Sequence, residues 1–239
     1  MVAPFMPRGA RPTPRYRLAA ATPHTKTGKA PPRHIRTPRK LSFWGNYTYG
    51  DCVSAEEAFA KACHEPEIFI SESEVIDWAT QNNFLNGAYI IDVVDVMESS
   101  GFPKHHHVYD DGSVRSVDWT NAPLLEDAIA IGPVKIGVAG DQLNSVWWAN
   151  GGSSTGGVSG WFATGFPPDS NEDHCVSLCG YGTMHWLAEH LRVPVPGGVD
   201  GHKPGYAMFT WDSIGIIDVP SMLAITHEAW LRVPTTIRT

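Results

Sequence analysis

The sequence is poor in cysteine and has no long apolar run. Its 239 residues include four cysteines, Cys52, Cys63, Cys175 and Cys179, and none of them forms a C-x-x-C pair. This pattern argues against a disulfide framework and favours a reducing compartment. No apolar run approaches the roughly 18 residues that span a bilayer, and the N-terminus lacks the basic-then-apolar order of a secretory signal. We therefore expect no membrane partner and no export, and a cytoplasmic location fits.

The first forty residues contain no Asp or Glu. They hold ten Lys or Arg and eight of the nineteen prolines, so they carry +10 while the remaining residues carry −17. A segment of this composition cannot bury enough apolar surface to fold alone. We predict that residues 1–40 form an extended basic arm, either a solvated tail or a segment docked on an acidic surface. That surface could belong to the protein's own body, to a partner subunit of a homo-oligomer, or to nucleic acid.

Patterns after the arm predict helices first and strands later. A helix is expected to start at or just after Cys52, a second one after the capping box Ser71-x-x-Glu74, and a third over the apolar stripe of residues 88–102. Residues 124–140 indicate a helix that breaks at Gly132-Pro133 and leads into a strand. A long Gly/Ser/Trp-rich loop is expected from Asn144 to Asp173, and strands or mixed segments after it. This order favours an α+β fold, with a helical lobe over about 41–120 and a β-rich lobe over about 121–239.

Cys52 is a buried structural thiol or a nucleophile. Free cysteines are most often buried and inert. Here, however, Cys52 lies at a predicted helix N-terminus, where unpaired amides and the helix dipole favour the thiolate. Asn46 lies six residues upstream and could donate an N–H to an oxyanion. His174, at the head of an apolar strand, could activate the thiol if the fold brings the two together.

Four segments, in order, resemble those of papain-like cysteine peptidases. GNYTYGDC resembles the stretch that joins the family's oxyanion-hole Gln to its nucleophilic Cys, with Asn46 and Cys52 in those places. Residues 70–77 with 86–88, residues 128–136 and residues 174–182 resemble later segments of the family. The likeness runs from about Phe43 to about Trp211. It implies a two-lobed papain-like α+β domain over residues 41–239, with a cleft between the lobes.

The resemblance also implies an activity. It is that of a thiol-dependent hydrolase that cleaves peptide or related amide bonds of a peptide or protein substrate, without a cofactor or metal. Cys52 would be the nucleophile and His174 the general base and then acid. Asn46 and the Cys52 backbone N–H would donate to the oxyanion.

Several departures from the family support a second interpretation. Asn46 is one methylene shorter than Gln, and Val53 replaces a Trp. If Trp211 matches the family's Trp, the Asn that orients the His falls near Phe209; a slipped strand would offer Asp212 instead. The arm is shorter than an inhibitory pro-segment and unlike one. The alternative is a catalytically impaired papain-fold structural or binding protein that docks through its arm. Because GNYTYGDC also resembles phage and bacterial papain-like proteins, such a protein could be virion-associated.

Other candidates are weaker. His105-His106-His107 invites a metal site, but adjacent residues point different ways and no further ligand spacing completes it. His185 and His190 are expected on the surface of an inserted helix. Trp147, Trp148 and Trp161 predict either core packing or an apolar subsite. Cys175 and Cys179 are expected to face the same side of a strand as small buried hydrophobes.

Overall fold

The computed structural model describes residues 5–28, 30–149, 161–233 and 236–238. Its helices are α1 Arg15–Ala20, α2 Cys52–Ala62, α3 Glu72–Gln81, α4 Ile90–Ser99, α5 Ala122–Ile131, α6 Asp141–Ala149, α7 Met184–Leu191 and α8 Val219–Ile225. Its strands are β1 Ala10–Arg11, β2 His34–Ile35, β3 Ala88–Tyr89, β4 Phe102–Lys104, β5 His107–Asp110, β6 Val114–Ser116, β7 Val134–Val138, β8 Phe162–Ala163, β9 His174–Thr183, β10 Pro204–Thr210, β11 Ser213–Asp218, β12 Thr226–Arg232 and β13 Thr236–Arg238. Helices and strands are both abundant, and the α+β prediction is confirmed.

The predicted helix starts are confirmed at α2 and α3. The capping box of α3 is complete, because Ser71 Oγ accepts from the Glu74 amide and Glu74 Oε2 accepts from the Ser71 amide. The two reciprocal bonds satisfy orphan donors at the helix start. Within the described residues, no helix is long and apolar enough to cross a membrane.

The main sheet is centred on β9. Its strands lie in the order β6-β12-β7-β9-β10-β11-β8, and β2 of the arm also pairs with β9. Neighbours are antiparallel except β11 and β8. The residues of β9 are buried almost throughout, as expected for a strand covered on both faces.

The sheet has an apolar core on each face. Successive side chains of a strand point to opposite faces, and β9 follows this rule. Cys175 and Cys179 join the core that contains α2, α3 and α4, whereas Val176 and Leu178 join the core that contains α5, α6 and α8. The prediction that both cysteines face one side and are buried is confirmed.

Helix α2 is held against the sheet by buried charges. Ten of its eleven residues are buried, and Glu57 pairs with Lys135 of β7 and with Arg232 of β12. Burial raises the pKa of Glu57, but the charges of Lys135 and Arg232 outweigh it and lower the pKa to about 2. Lys135 also donates to the Val53 carbonyl at 3.0 Å. Because an unpartnered buried charge is costly, this network fixes where α2 starts.

The arm lies along the protein's own body. Its β1 pairs with β3 and its β2 with β9. Arg17 pairs with Asp92 and Asp95 of α4, with the Arg17–Asp92 atoms 2.5 Å apart. Asp127 of α5 accepts from the backbone amide of Thr27 at 2.8 Å. The acidic surface that the arm's charge requires is therefore supplied within the chain.

The predicted loop from Asn144 to Asp173 is wrong at its start. Helix α6 occupies Asp141–Ala149, because Leu143 and Trp147 lie four apart and bury one helical face. Residues 150–160 of the predicted loop lie outside the described residues, and β8 follows them. The second half of the chain thus contributes helices as well as strands.

Candidate active site

Cys52 is the first residue of α2 and lies at the base of a covered cleft. Its side chain is 1% exposed. The residue before it, Asp51, is also buried, and burial raises the pKa of this carboxyl to about 8. Asp51 is therefore mostly uncharged at neutral pH, which limits the repulsion that a thiolate at Cys52 would meet.

His174 is held by one hydrogen bond and one aromatic face. Its Nε2 lies 2.7 Å from Thr210 Oγ1 at the end of β10. The indole of Trp211 stacks on the imidazole, with ring centroids 4.8 Å apart and planes 19° apart. Nδ1 is buried without a hydrogen-bond partner among the described residues. This arrangement leaves Nδ1 free to accept a proton while Thr210 holds the opposite side of the ring.

The strand that starts at His174 contacts the thiol. The backbone amide of Cys175 hydrogen-bonds to Cys52. Helix α2 packs on β9, and β9 is aligned there by pairing of His174 with Val138 of β7. The sequence prediction that α2 faces the start of this strand is confirmed.

The arm occupies this site. Asn46 Nδ2 donates to the carbonyl of Pro7 at 3.2 Å and to that of Tyr49 at 2.9 Å. The backbone amide of Gly9 hydrogen-bonds to Cys52. The next residue, Ala10, donates its amide to the Asp173 carbonyl at 3.1 Å. Residues 7–10 therefore cover both the thiol and the side-chain amide beside it.

Gly9 allows the backbone of the arm to lie in close contact with the Gly50 carbonyl. A Cβ at this position would lie 1.9 Å from the Gly50 carbonyl oxygen. The Gly9 carbonyl also accepts from the Ala88 amide at 2.9 Å, and from there β1 runs parallel to β3. The backbone of the arm is thus locked to the cleft wall at a point that any side chain would obstruct.

Arg8 anchors the same segment by two ion pairs. Its Nη2 lies 2.6 Å from Asp141 Oδ1 and its Nη1 lies 2.9 Å from Asp173 Oδ2. The Arg8 side chain is 4% exposed. An added Cβ on Gly140 would lie 3.0 Å from Arg8 Nη1 and 2.9 Å from the Cβ of His174, so Arg8 lies close to His174.

In the covered site, the side chains of Cys52 and His174 are both uncharged. Burial raises the pKa of Cys52 to about 12, against the opposing effect of the Gly9 and Cys175 amides. Burial, assisted by the charge of Arg8, lowers the pKa of His174 to about 3. In this covered state, the loss of water on burial opposes the thiolate that the helix N-terminus favours. The pair is present as thiol and neutral imidazole.

The sequence missed three contributors to this site. Thr210 is the group on His174 Nε2, where the sequence pointed to positions near Phe209 or to Asp212. A threonine in a sequence does not by itself indicate a group that orients a histidine. Only the register of β10 places the Thr210 hydroxyl at the imidazole of His174. Arg8 and Gly9 lie in the arm, which the sequence judged unlike a pro-segment. That comparison of length and sequence gave no sign that residues 7–10 contact Cys52 and Asn46.

The histidine candidates occupy surface elements. His105 and His106 form the turn between β4 and β5 with positive φ. Among the described residues, no group of three or more His, Cys, Asp or Glu is arranged to hold a metal ion. His185 and His190 are exposed on α7, the inserted helix that the sequence predicts.

Two of the candidate tryptophans are core residues. Trp147 and Trp161 are each 2% exposed, and both indole N–H groups donate to Ser213 Oγ. Trp148 is only partly buried and stands edge-on to Trp147. Core packing therefore explains Trp147 and Trp161.

Comparison with solved structures identifies the fold. Xylellain, a cysteine protease from Xylella fastidiosa, matches with a TM-score of 0.63 and 14% identity, covering 98% of this chain and 99% of that one. Procathepsin L 3 from the larval midgut of Tenebrio molitor matches with a TM-score of 0.57 and 14% identity, covering 89% and 73%. A recombinant stem bromelain precursor matches with a TM-score of 0.55 and 12% identity, covering 98% and 78%.

These matches show a papain-like cysteine-peptidase fold, as the sequence predicts. No family model matches the chain, and no curated protein is significantly similar to it in sequence. The likeness therefore lies in the path of the backbone, and the chemistry of the site must be argued from the residues themselves.

Proposed function

We propose that this protein is a cysteine peptidase whose own residues 7–10 keep it closed. The observation that carries the proposal is the junction of α2 and β9. There the Cys175 amide contacts the Cys52 thiol, and the imidazole of the preceding residue, His174, is held by Thr210 and Trp211. A nucleophile, a base and a group that orients the base are the parts that thiol catalysis needs.

The proposed reaction starts when residues 7–10 leave the cleft. The Cys52 proton moves to Nδ1 of His174, while Thr210 Oγ1 accepts the hydrogen bond of Nε2–H. The thiolate attacks the substrate carbonyl carbon, and the oxyanion receives N–H bonds from Asn46 and from the backbone of Cys52. The C–N bond breaks as His174 gives its proton to the leaving amine. Water, activated by His174, then hydrolyses the thioester and restores the thiol.

The contacts of the arm support Asn46 as a donor to a carbonyl oxygen. Asn46 Nδ2 reaches a peptide carbonyl, that of Pro7, although its side chain is one methylene shorter than Gln. The thiol meets the amide N–H of Gly9. The segment thus fills the site and keeps a substrate away from the thiol.

The test uses a full-length Arg8→Ala/Gly9→Leu chain, called here the open variant. Loss of the ion pairs and the clash of Leu with Gly50 should expel residues 7–10 and leave the rest of the arm attached. We expect Cys52 of the open variant to react with iodoacetamide at pH 6 about a hundredfold faster than in the native chain. It should also hydrolyse a denatured fluorescent protein substrate.

Controls separate this proposal from its alternative. Arg15→Ala/Ala19→Leu changes two exposed residues of α1 and should leave Cys52 protected. In the open variant, His174→Ala should remove the labelling advantage and Cys52→Ser should abolish hydrolysis. If Cys52 of the open variant labels no faster than buried Cys63 and no substrate is cut, the chain is instead a papain-fold binding protein.

A further inference from the structure

The side chain of Arg8 lies in a position that two carboxylates and an aromatic ring define. Its guanidinium bridges Asp141 at 2.6 Å and Asp173 at 2.9 Å, and its side chain is 4% exposed. The ring of Phe5 lies 4.0 Å from the guanidinium carbon. The cation is almost completely buried, whereas the side chain of Asp141 is 64% exposed and that of Asp173 is 27% exposed.

The two carboxylates are positioned by the fold and not by Arg8 alone. Asp141 lies in the first turn of α6, and Asp173 immediately precedes β9. Asp173 Oδ1 accepts from the Gly140 amide at 2.9 Å, and its Oδ2 accepts from Asn171 Nδ2 at 3.3 Å. We call this pair of carboxylates the Asp141–Asp173 seat. Its geometry should persist when the arm leaves.

Loss of Arg8 removes the positive charge that lies between the two carboxylates of the seat. Burial raises the pKa of Asp173, and the charges of Asp141 and Asp169 raise it further, whereas the Gly140 amide and Arg8 lower it. Removing Arg8 therefore leaves mutually repelling carboxylates beside His174. Another guanidinium or ammonium group relieves that repulsion, and an acidic or apolar group does not.

The position of the seat relates it to the scissile bond. In acyl transfer the general acid gives its proton to the leaving amine, so the leaving group lies next to the imidazole. The Arg8 guanidinium lies beside His174, because one Cβ on Gly140 would touch both. The seat is thus on the side of the site where the residue after the scissile bond would lie.

We propose that the Asp141–Asp173 seat is a specificity subsite that takes an arginine or lysine side chain of the substrate just after the scissile bond. This inference rests on the proposed peptidase function. Arg8 fills the subsite in the closed form. The arm therefore excludes basic substrates by occupying their charge-recognition site as well as covering the thiol.

The test compares quenched peptides that differ at one position. They carry Arg, Gln or Glu directly after a single scissile bond, confirmed by mass spectrometry of the products, and they are given to the open variant. We expect kcat/KM for the Arg peptide to exceed that for the Gln peptide about tenfold, and the Glu peptide to be poorest. Asp141→Asn in the open variant should reduce the Arg preference to within about twofold.

Asp169→Asn in the same background is the matched control. Asp169 contributes charge near the seat without contacting Arg8, and Asn can still accept its bond from the Asn171 amide. The Arg preference should survive this change. The subsite would be refuted if the Arg and Gln peptides are cut at equal rates, or if Asp141→Asn and Asp169→Asn have equal effects on the Arg preference. Hydrolysis of either peptide would still support the peptidase function. No hydrolysis together with an unreactive Cys52 overturns both.

A second measurement requires neither hydrolysis of a substrate nor displacement of residues 7–10 from the site. In the full-length Arg8→Ala chain, millimolar ethylguanidinium should raise the melting temperature, and equimolar ethylurea, its uncharged counterpart, should not. The stabilisation should vanish when Asp141→Asn is added. Equal effects of the two compounds, or a rise that survives Asp141→Asn, would overturn the seat.

Discussion

At the scale of single residues, the group that orients His174 is a hydroxyl. Thr210 Oγ1 lies 2.7 Å from Nε2, and the ring is buried on that side by Trp211. A hydroxyl can accept from Nε2–H and so keep Nδ1 free for the thiol proton. In the proposed reaction Thr210 is a positioning residue, since it would act on the substrate only through His174.

Replacing Thr210 tests this positioning role. In the open variant, Thr210→Val keeps the shape but leaves Nε2–H without a partner, so we expect kcat to fall about thirtyfold with KM almost unchanged. Thr210→Ser should restore most of kcat. The acid limb of the pH–kcat profile should also move with Val and return with Ser. A rise in KM without a change in kcat would contradict the assignment.

The sequence identifies only part of the site at this scale. Cys52, His174 and Asn46 are predicted because a turn, a helix start and a strand start each have a local signal. Thr210 and Arg8 have none. The position of Thr210 depends on the register of β10, and the position of Arg8 depends on where the extended arm crosses the rest of the protein. Contacts of this kind link residues more than thirty positions apart, and no local pattern encodes them.

At the scale of elements, the arm is attached to the sheet through a pair of carboxyl groups. Thr13 donates its amide to Glu228 Oε1 at 2.8 Å, and Trp230 Nε1 donates to Oε2 at 2.5 Å. Glu172 hydrogen-bonds to Glu228, and burial together with that contact and the charge of Glu228 raises the pKa of Glu172 to about 9. A protonated Glu172 therefore donates to Glu228, which also holds the arm.

This pair predicts a loss of stability towards alkaline pH. The pKa of Glu172 in the folded chain lies above the ordinary value of 4.5. Its contribution is therefore complete below about pH 4.5 and declines as the pH rises through about 9. Glu172→Gln keeps the hydrogen bond but cannot ionise. Urea unfolding should show the native chain losing about 2 kcal/mol more than Glu172→Gln between pH 5 and pH 9. Parallel curves for the two chains would refute the shared proton.

Elements with capping signals were predictable, and those without them were not. The Ser71-x-x-Glu74 box predicts α3 because both of its hydrogen bonds are local. Helix α6 was assigned to a loop because the Gly- and Ser-rich stretch after it dominated the composition, although Leu143 and Trp147 already stood at helical spacing. The pairing of β1 with β3 could not be predicted, since strands of two residues are too short to show an alternation of apolar and polar side chains.

At the scale of the whole molecule, the opposite charges of arm and body are used within the chain. The arm carries +10 and the remaining residues −17. Arg8 and Arg17 pair with Asp141, Asp173, Asp92 and Asp95 of the body. The sequence left open whether the arm is a solvated tail or is docked, and on what, because composition gives the sign of a charge and not the residues that it pairs with.

The closed form should open in acid. His174 has a pKa of about 3 when covered, below its ordinary value of 6.5, so the covered imidazole binds a proton less readily than an exposed one. The stability that this group gives the closed form is present above about pH 6.5 and is lost as the pH falls towards 3. Protonation of Asp173, whose pKa burial raises, also weakens its pair with Arg8. Opening should become up to tenfold more favourable for each unit below pH 6.5.

Iodoacetamide labelling of the native full-length chain can measure this opening. The rate for an ordinary thiol falls about tenfold per unit as the pH drops, because thiolate is lost. For Cys52 we expect a rate that is level or rising from pH 6.5 to pH 5, since opening compensates and the uncovered imidazolium stabilises the thiolate. The open variant should be faster at every pH and should not rise in acid. In His174→Ala the rate should fall as for a free thiol. A native profile that falls in parallel with that of His174→Ala would show that protonation of His174 does not release the arm.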